Sequence, residues 1–562
     1  MRRIGIGRTG AWVTWRRTAL VGLAFGAGAL HLAAVGVLLM LHQRWIVIDT
    51  LSLGQATVLL LAAGAGAMAA RGDGSRWLQG ALGGVCAVLP LALLSRAMDA
   101  LTLQPIFIAL SPDLQAMLTL GLPPAAATPA LLALGAVAGL VGAGLRAAPR
   151  LSRALLPGAV AVLVAGVFQE LIQLMLQQYE GPIGAVRDFV YTWEGLTQEG
   201  AITVFLVVTL LAQLFGRATQ GRVAAMEPAR RRQIWAGIAL AVIVVLPAVA
   251  GSYIGQVLML VGLYILMGIG LNLEVGLAGL LDLGFVAFFA VGAYTTALLT
   301  ADAPNALMHL PYWAAMPVSV LLAVCVGVLF GLPVLGVRGD YLAVATMGLG
   351  EIVRVIVLSD FGAPLLGGAQ GVLHIPKPQL GSYTLSSPVA LFYLTLVAAA
   401  IAAFIAWRLE NSRLGRAWMA LRDDEDVAQA LGINLVRSKL LAYGLGAAFA
   451  GLAGSIFATM LSSVYPSSFQ LLISINVLAL IIVGGMGSLP GVILGSVVLI
   501  GLPELLREFG EYRYLFYGAV LVVMMRLRPE GLWPSDVRQR ELHAGDETAA
   551  LDAGADLLPA RE

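Results

Sequence analysis

The sequence predicts an all-α polytopic membrane protein with about 16 transmembrane helices. Of its 562 residues, 59% are hydrophobic and only 12% are charged, whereas soluble domains carry roughly 25% charged residues. Apolar runs long enough to cross a bilayer, about 20 residues each, recur along the chain between short breaks that contain arginine. This composition excludes an ordinary soluble domain.

The predicted spans follow these runs in chain order. They lie at 18–41, 50–70, 77–97, 128–146, 154–176, 200–216, 234–253, 256–275, 280–301, 312–335, 341–358, 388–407, 439–461, 471–488, 491–505 and 513–527. Because basic residues accumulate on cytoplasmic loops, strict alternation places Arg338, the polar stretch Arg408–Lys439 and Arg526 in the cytoplasm. Both termini are then cytoplasmic. The segments predicted to face the outer side are 302–311, 359–387, 462–470 and 507–512.

A basic loop, RATQGRVAAMEPARRRQ, divides the chain into two membrane regions. Residues 1–230 are predicted to form an N-terminal six-span extension of unassigned role, and residues 231–534 a second membrane domain. Residues 535–562 are charged and lack hydrophobic periodicity, which is typical of a disordered tail.

The polar stretch Arg408–Lys439 lies between two apolar runs and must face water. Its acidic run, Asp423 to Asp426, cannot lie in lipid, because one charge at the bilayer centre costs at least about 2.5 kcal/mol. We predict a short helix over about 423–431, with Asp423 as its N-cap and Gly432 as a left-handed C-terminal cap followed by Ile433.

The predicted short helix carries a small apolar stripe made of Val427, Ala430 and Leu431. This stripe is too small to form a core of its own, so another surface must cover it. It either lies against its own membrane domain or docks on a soluble partner.

Three segments carry a family resemblance. They are the run beginning LGRAWMALRDDEDVAQALGI in residues 414–455, GIGLNLEVGLAGLLDLGFVAFFAVGAY at 268–294, and INVLALIIVGGMGSLPGVILGSVVLIG at 475–501. The chain resembles the permease subunits of ABC importers, and more narrowly the branched-chain amino-acid permeases of the LivM type. The resemblance covers about residues 234–534 and leaves the N-terminal extension unmatched.

The resemblance implies a transporter subunit of the bacterial plasma or inner membrane, surrounded by lipid, with no enzymatic activity of its own. Separate ATP-binding subunits hydrolyse ATP, a second related permease completes the pathway, and an extracytoplasmic solute-binding protein delivers branched-chain or related amino acids, touching 359–387 and 462–470. In this family the charged segment docks in a groove on the ATP-binding subunit. The residues expected at that contact are Leu414, Gly415, Arg416, Arg422, Asp423, Asp424, Ala428, Leu431, Gly432 and Ile433.

Polar residues at membrane depth are candidates for the translocation pathway. Glu351 and Arg354 are i, i+3 neighbours on one helix face. They either offer both charges to a zwitterionic substrate or form an ion pair that only fixes helix packing. Asn272 is a further candidate, whereas Glu274 and Asp282 are expected at the cytoplasmic ends of two helices.

A Gly-rich break supplies the remaining pathway candidates, Gly484, Gly485 and Gly487. These glycines either unwind the chain beside the pathway or permit tight helix packing, and tight packing is the expected role.

Several function classes are excluded by motif. The chain has two lysines, Lys377 and Lys439, and neither follows a glycine, so it has no Walker A phosphate loop. Its five histidines form no HExxH motif, and no GxSxG elbow occurs. We therefore expect no catalytic residues, no metal, no cofactor and no nucleic-acid partner.

Three alternatives remain open at this point. A permease of the same family for urea, short amides or another small organic solute would share these motifs. A secondary transporter driven by an ion gradient would need no ATPase. A sensor or interaction protein built on the N-terminal extension is the third.

Overall fold

The computed structural model describes residues 7–70, 76–101, 104–105, 107–224, 228–334, 336–337, 340–510 and 512–535. These residues are helical apart from loops and two short antiparallel strand pairs, so the all-α prediction is confirmed. The predicted tail 535–562, except for Ser535, and the loop residue Arg338 lie outside the described residues.

Among the described residues, nine helices are long and apolar enough to cross a membrane, or ten if a pair bent by 75° at Phe168 is one span. Shorter apolar helices accompany them, at Leu53–Ala69, Gln198–Leu214, Val286–Thr300 and Leu489–Leu505. The count of about 16 spans and the cytoplasmic position of both termini stay predictions.

The chain folds as two units, Met1–Ile238 and Ala239–Glu562. The helices of the first unit are α1 (Gly7–Ala34), α2 (Val37–His42), α3 (Leu53–Ala69), α4 (Arg76–Ala100), α5 (Pro112–Thr119), α6 (Pro124–Ala147), α7 (Pro149–Val167), α8 (Gln169–Gln177), α9 (Pro182–Val190) and α10 (Gln198–Ala224). Strands β1 (Trp45–Val47) and β2 (Leu51–Ser52) pair within it.

Small residues allow the helices of the first unit to approach closely. A Cβ placed on Gly84 of α4 would overlap the carbonyl oxygen of Gly135 on α6. The predicted span 18–41 is interrupted, because Gly36 adopts a left-handed backbone (φ +89°) between α1 and α2. A single residue of this conformation ends one helix and redirects the chain into the next.

Helix α11 (Pro228–Leu271) crosses the boundary between the two units and is broken at Gly251, whose φ is +84°. The helices of the second unit begin with the part of α11 that follows Ile238. They continue as α12 (Val286–Thr300), α13 (Tyr312–Val334), α14 (Asp340–Leu358), α15 (Ala363–Leu366), α16 (Pro388–Glu410), α17 (Arg413–Asp423), α18 (Glu425–Ala430), α19 (Leu435–Leu461), α20 (Leu471–Gly484), α21 (Leu489–Ser496), α22 (Leu502–Leu505) and α23 (Tyr512–Leu527). Segments Asn272–Leu277 and Val497–Gly501 are π-helical, and strands β3 (Gln379–Leu380) and β4 (Tyr383–Thr384) form a hairpin.

Helix α19 packs at the centre of the second unit. A Cβ on Gly454 would overlap the carbonyl oxygen of Phe289 on α12, and a Cβ on Gly451 would overlap the side chain of Ala323 on α13. This close approach brings the helix backbones together as small residues do in membrane proteins. The predicted span 280–301 becomes helical only at Val286, because residues 278–285 form a non-helical turn.

Three segments predicted to face the outer side meet at one end of the second unit. Val372 and Val464 exchange backbone hydrogen bonds of 3.0 and 2.9 Å, and Asp302 N–H donates to the His374 carbonyl at 3.1 Å. The Gly-rich break, the turn after α11 and the segment after α23 meet elsewhere in the unit, where Trp533 N–H donates to the Gly484 carbonyl at 2.8 Å.

Candidate coupling surface and translocation site

The polar stretch folds into two helices, α17 and α18, rather than one over 423–431. The predicted N-cap, Asp423, is wrong: it is the last residue of α17, and Asp424 has the extended backbone that a cap requires (φ −159°, ψ 115°). Asp424 Oδ1 accepts from Asp426 N–H and Val427 N–H, each at 2.9 Å. The acidic run therefore ends one helix and starts the next.

The predicted C-terminal cap is confirmed. Gly432 has φ +88°, its N–H donates to the Gln429 carbonyl at 3.0 Å, and Ile433 N–H donates to the Ala428 carbonyl at 3.1 Å. This pair of bonds is a Schellman motif, which satisfies the last carbonyls of a helix. The motif fixes the direction in which the chain leaves α18.

The apolar stripe on α18 does not pack against its own chain. Val427 and Leu431 are 55% and 75% exposed. Large apolar side chains at such exposure on a rigid, short helix are typical of a surface that a partner covers. This exposure argues against the interpretation in which the stripe lies against its own membrane domain, and docking on a soluble partner stays a prediction.

Two contacts that sequence reasoning missed hold α17 and α18 against α19. The indole Nε1 of Trp418, which is fully buried, donates to the Ser438 carbonyl at 2.9 Å. Lys439, also buried, forms an ion pair with Glu425 at 2.8 Å. A tryptophan amid the charges of this polar stretch was the available signal for the first contact.

The residues predicted to contact an ATP-binding subunit fall into two groups. Those at the surface are Leu414, Arg416, Asp423, Asp424, Leu431 and Gly432, and Ile433 is half-buried. Those turned toward the chain itself are Gly415, Arg422 and Ala428.

The inward group has structural contacts that explain its position. A Cβ on Gly415 would overlap the carbonyl oxygens of Leu409 and Glu410, so glycine permits the tight turn from α16. Ala428 is buried, although its neighbour Val427 in the stripe is exposed. The Nη1 of Arg422 donates to the Gly276 carbonyl at 2.9 Å, so this guanidinium binds its own chain.

The π-helical segment Asn272–Leu277 connects α17, through Gly276, to the Gly-rich break. Asn272 Oδ1 accepts from Gly487 N–H at 2.8 Å. Of the predicted pathway residues, Asn272 and Gly487 thus meet each other beside Gly276, the residue that Arg422 binds, and Gly484 and Gly485 precede Gly487 in the same break.

The glycines of this break serve close packing and turns. A Cβ on Gly484 would overlap the Gly491 carbonyl oxygen, and Gly485 and Gly487 have positive φ values of 123° and 76°. Gly484 therefore permits tight packing, as expected, whereas Gly485 and Gly487 lie where the chain leaves the helix, and a role of any of the three in the pathway stays a prediction.

Glu351 and Arg354 form the predicted i, i+3 pair on α14. Arg354 Nε donates to Glu351 Oε1 at 2.8 Å, and both side chains are substantially exposed. Their neighbours Val344, Ile352 and Val355 are exposed apolar residues. An ion pair on an apolar helix surface at membrane depth is costly in lipid, so this face of α14 requires water or protein beside it.

Glu274 and Asp282 lie next to the ends of two successive helices, as expected, and both side chains are buried. Glu274 belongs to the π-helical segment and Asp282 to the turn before α12, and the two are 0% and 1% exposed. No group of three or more His, Cys, Asp or Glu suited to a metal occurs in the described ranges.

A bundle of long apolar helices that carries a charged helical surface defines a multi-pass membrane protein. The family described as Branched-chain amino acid transport system / permease component matches residues 253–525. The chain is 36% identical over 442 residues to the high-affinity branched-chain amino acid transport system permease protein LivM of Escherichia coli K12, covering 70% of this chain and 97% of that protein. The chain belongs to this family of branched-chain amino acid transport permeases.

Other relatives agree with this assignment. LivM of Salmonella typhimurium is 36% identical over 425 residues, with 70% of this chain and 97% of that protein covered. The permease LivH of Escherichia coli K12 is 24% identical over 288 residues, covering 48% of this chain and 90% of that protein. No solved structure matches the chain significantly.

The matches also bear on the N-terminal extension. The family match begins at residue 253 and leaves the extension unmatched, as predicted. A match to LivM over 70% of the chain is longer than residues 231–562, so it must include part of the first unit.

Proposed function

We propose that the chain is the membrane-spanning subunit of an ATP-driven importer that translocates branched-chain amino acids. The permease domain is residues 231–534, and ATP hydrolysis takes place on separate subunits. The observation that carries this proposal is the α18 surface, an exposed apolar stripe on a helix that its own chain leaves uncovered.

The ATP-binding subunits dock on α17 and α18. Val427 and Leu431 enter an apolar groove of the partner, while the exposed Arg416 pairs with an acidic residue there. Asp423 and Asp424 frame the contact with negative charge. Burying two aliphatic side chains of this size contributes about 1.5–3 kcal/mol each at full burial.

Closure of the ATP-binding subunits moves α17 and α18 as one body. Two buried side chains transmit this motion to α19, because Trp418 of α17 donates to the Ser438 carbonyl of α19 and Lys439 of α19 pairs with Glu425 of α18. Arg422 transmits it to the π-helical segment through Gly276. The helices α16 and α19 then tilt and change access to the pathway.

The exposed face of α14 meets a second related permease across the translocation pathway. The pair Glu351–Arg354 is the observation that supports this, since an exposed ion pair among apolar side chains is unfavourable against lipid. A zwitterionic amino acid passing this face meets both charges.

A solute-binding protein delivers the substrate to the outer surface that 302–311, 359–387 and 462–470 form together. Lys377 stabilises this surface, because its Nζ donates to the carbonyls of Thr459 and Met460 at 2.7 and 2.8 Å. Fixed backbone in these loops suits a surface that must receive a folded protein.

The first experiment is purification of the tagged full chain together with the products of its neighbouring genes in mild detergent. We expect an ATP-binding subunit to co-purify with the native chain and to be lost from the double variant Val427→Asp, Leu431→Asp. If no ATPase ever associates, a gradient-driven transporter becomes the better description.

The control is Val436→Asp, which places one added carboxylate at a valine of similar exposure at the start of α19, to be compared with the single variant Val427→Asp as well as with the double variant. Retention of the ATPase by this control, with loss from the α18 variant, assigns docking to α18. Equal loss from both variants would mean that added negative charge acts non-specifically.

A further inference from the structure

The carboxyl groups of Glu274 and Asp282 are buried together in the second unit. Neither takes part in the proposed contact with an ATP-binding subunit. Glu274 is fully buried, and neither of its oxygens has a hydrogen-bond partner among the described residues. Asp282 interacts electrostatically with Glu274 and is buried too. Its Oδ1 accepts from Gly284 N–H at 2.7 Å, whereas its Oδ2 has no partner in the described part of the chain.

The surroundings of the pair are shaped to hold it. A Cβ on Gly446 of α19 would overlap Glu274 Oε1, so glycine leaves the space that this carboxyl group occupies. Tyr443, one turn earlier on α19, is 3% exposed and interacts electrostatically with both carboxyl groups, yet its hydroxyl has no partner among the described residues. A small cavity lies between Asp282, Tyr443 and Thr346.

The charged groups on the neighbouring elements are bound elsewhere. From α17, Arg422 donates to the Gly276 carbonyl, and from α19, Lys439 pairs with Glu425. From α14 the facing polar group is the Thr346 hydroxyl, which accepts from Leu283 N–H at 3.0 Å. Within the described ranges, neither Glu274 nor Asp282 makes an ion pair.

Two negative charges cannot share such a site without a compensating positive charge. Desolvating a single carboxylate costs several kcal/mol even after the protein relaxes, and like-charge repulsion adds to that cost for two groups in contact. A bound proton removes one charge and supplies a donor, since a protonated carboxyl group carries an O–H. It is also small enough for the cavity as it stands.

We propose that Glu274 and Asp282 together bind one proton at neutral pH, held mainly on Glu274. Glu274 holds it because both of its oxygens lack donors, whereas Asp282 retains negative charge with the Gly284 N–H as donor. The Tyr443 hydroxyl then donates to the charged Asp282. A proton from water binds and leaves without any other covalent change.

The proton site lies next to the contacts that link the π-helical segment to α17, so its protonation should affect those contacts. Glu274 lies in the segment that binds Gly487 through Asn272 and Arg422 through Gly276. Loss of the proton puts two like charges in contact and separates the turn 278–285 from the π-helical segment. We therefore expect the hydrogen bonds of the π-helical segment to Gly487 and to Arg422 to weaken at alkaline pH.

Infrared difference spectroscopy of the full chain in lipid nanodiscs tests the proposal directly. The wild type should show the carbonyl-stretch band of a protonated, buried carboxyl group at neutral pH, which shifts in D2O and disappears reversibly at alkaline pH. Glu274→Gln should lose the band. Asp282→Asn should retain it, because the remaining buried acid is neutral.

The matched control is Asp302→Asn, an exposed carboxyl group in the same unit, which should leave the band unchanged. Absence of the band from the wild type at neutral pH, or its persistence in Glu274→Gln, would overturn the proposal. If the band appears only in the absence of Na+, then a sodium ion and not a proton neutralises the carboxylate pair under ordinary salt conditions. That result would also overturn the proposal. The measurement needs no ATPase or substrate, so its outcome is independent of the proposed transport function.

Discussion

Arg422 donates a hydrogen bond from Nη1 to the carbonyl oxygen of Gly276 at 2.9 Å, across 146 residues of chain. This bond joins α17 to the π-helical segment Asn272–Leu277, and Asn272 in the same segment binds the Gly-rich break at Gly487. The surface proposed to receive the ATP-binding subunit is therefore connected through buried polar contacts to the interior of the membrane domain.

Arg422 and Arg416 should give different phenotypes when each is changed to glutamine. A hydrogen bond from a charged donor contributes about 1.5–3 kcal/mol, so Arg422→Gln should lower uptake about tenfold or more while the ATPase subunit stays bound. Arg416→Gln should instead weaken subunit binding and reduce its dependence on salt. Quantitative co-purification at two ionic strengths, with uptake by the same preparations, measures both. Identical phenotypes would contradict the assignment of Arg422 to an internal link.

Gly432→Trp should uncouple transport without preventing membrane insertion. A left-handed backbone costs a residue with a Cβ roughly 1–2 kcal/mol, and the indole would project from the docking surface, where no atom lies near a Cβ at this position. Gly432→Ala tests the strain alone and should have the smaller effect. Gly381→Trp is the matched control, since Gly381 also has positive φ and open space. Normal uptake by Gly432→Trp would count against the account.

The Glu351–Arg354 pair should behave as a unit in a double-mutant cycle. Arg354→Ala alone leaves an unpaired carboxylate on an apolar face and should reduce the yield of inserted protein. The double variant Glu351→Ala, Arg354→Ala should restore the yield, because no charge is left unpaired. If the pair lines the pathway, the double variant should still transport poorly. Uptake at the wild-type rate by the double variant would mean that the Glu351–Arg354 pair only contributes to helix packing.

Lys377→Met should loosen the outer surface. It removes the donors to two carbonyls in the last turn of α19, and no other described contact of Lys377 replaces them. We expect faster proteolysis within 359–387 and weaker delivery by the solute-binding protein, with ATPase binding unchanged. Lys377→Arg retains a donor and should lie between wild type and Lys377→Met in a limited-proteolysis time course. Equal proteolysis rates for wild type and Lys377→Met would contradict this role.

Short sequence patterns were sufficient to predict some of the local structure at the candidate sites. The Gly432 cap and the i, i+3 pair of Glu351 and Arg354 each depend on a few neighbouring residues, and both formed as predicted. The N-cap was misplaced by one residue, because its position depends on where the preceding helix ends. That helix extends to Asp423, which only the packing of Trp418 against the start of α19 explains.

Contacts between distant parts of the chain could not be predicted in this way. Asn272 and Gly487 are 215 residues apart, and no periodicity or spacing connects them. For the same reason Ala428 was assigned to the partner contact although it is buried, since one apolar residue of a short helix is equivalent to another until the facing helix is known. The family segments indicated where the contact with an ATP-binding subunit is expected, and the fold determined which residues of that region face outward.

The central claim is tested most directly by ATP-dependent uptake of leucine into proteoliposomes that contain the purified complex and its solute-binding protein. The account predicts uptake that requires ATP, is competed by isoleucine and valine but not by urea, and is abolished by Val427→Asp, Leu431→Asp while the Val436→Asp control still transports. Leucine uptake that proceeds without ATP, or that persists at the wild-type rate in the α18 double variant, would contradict it.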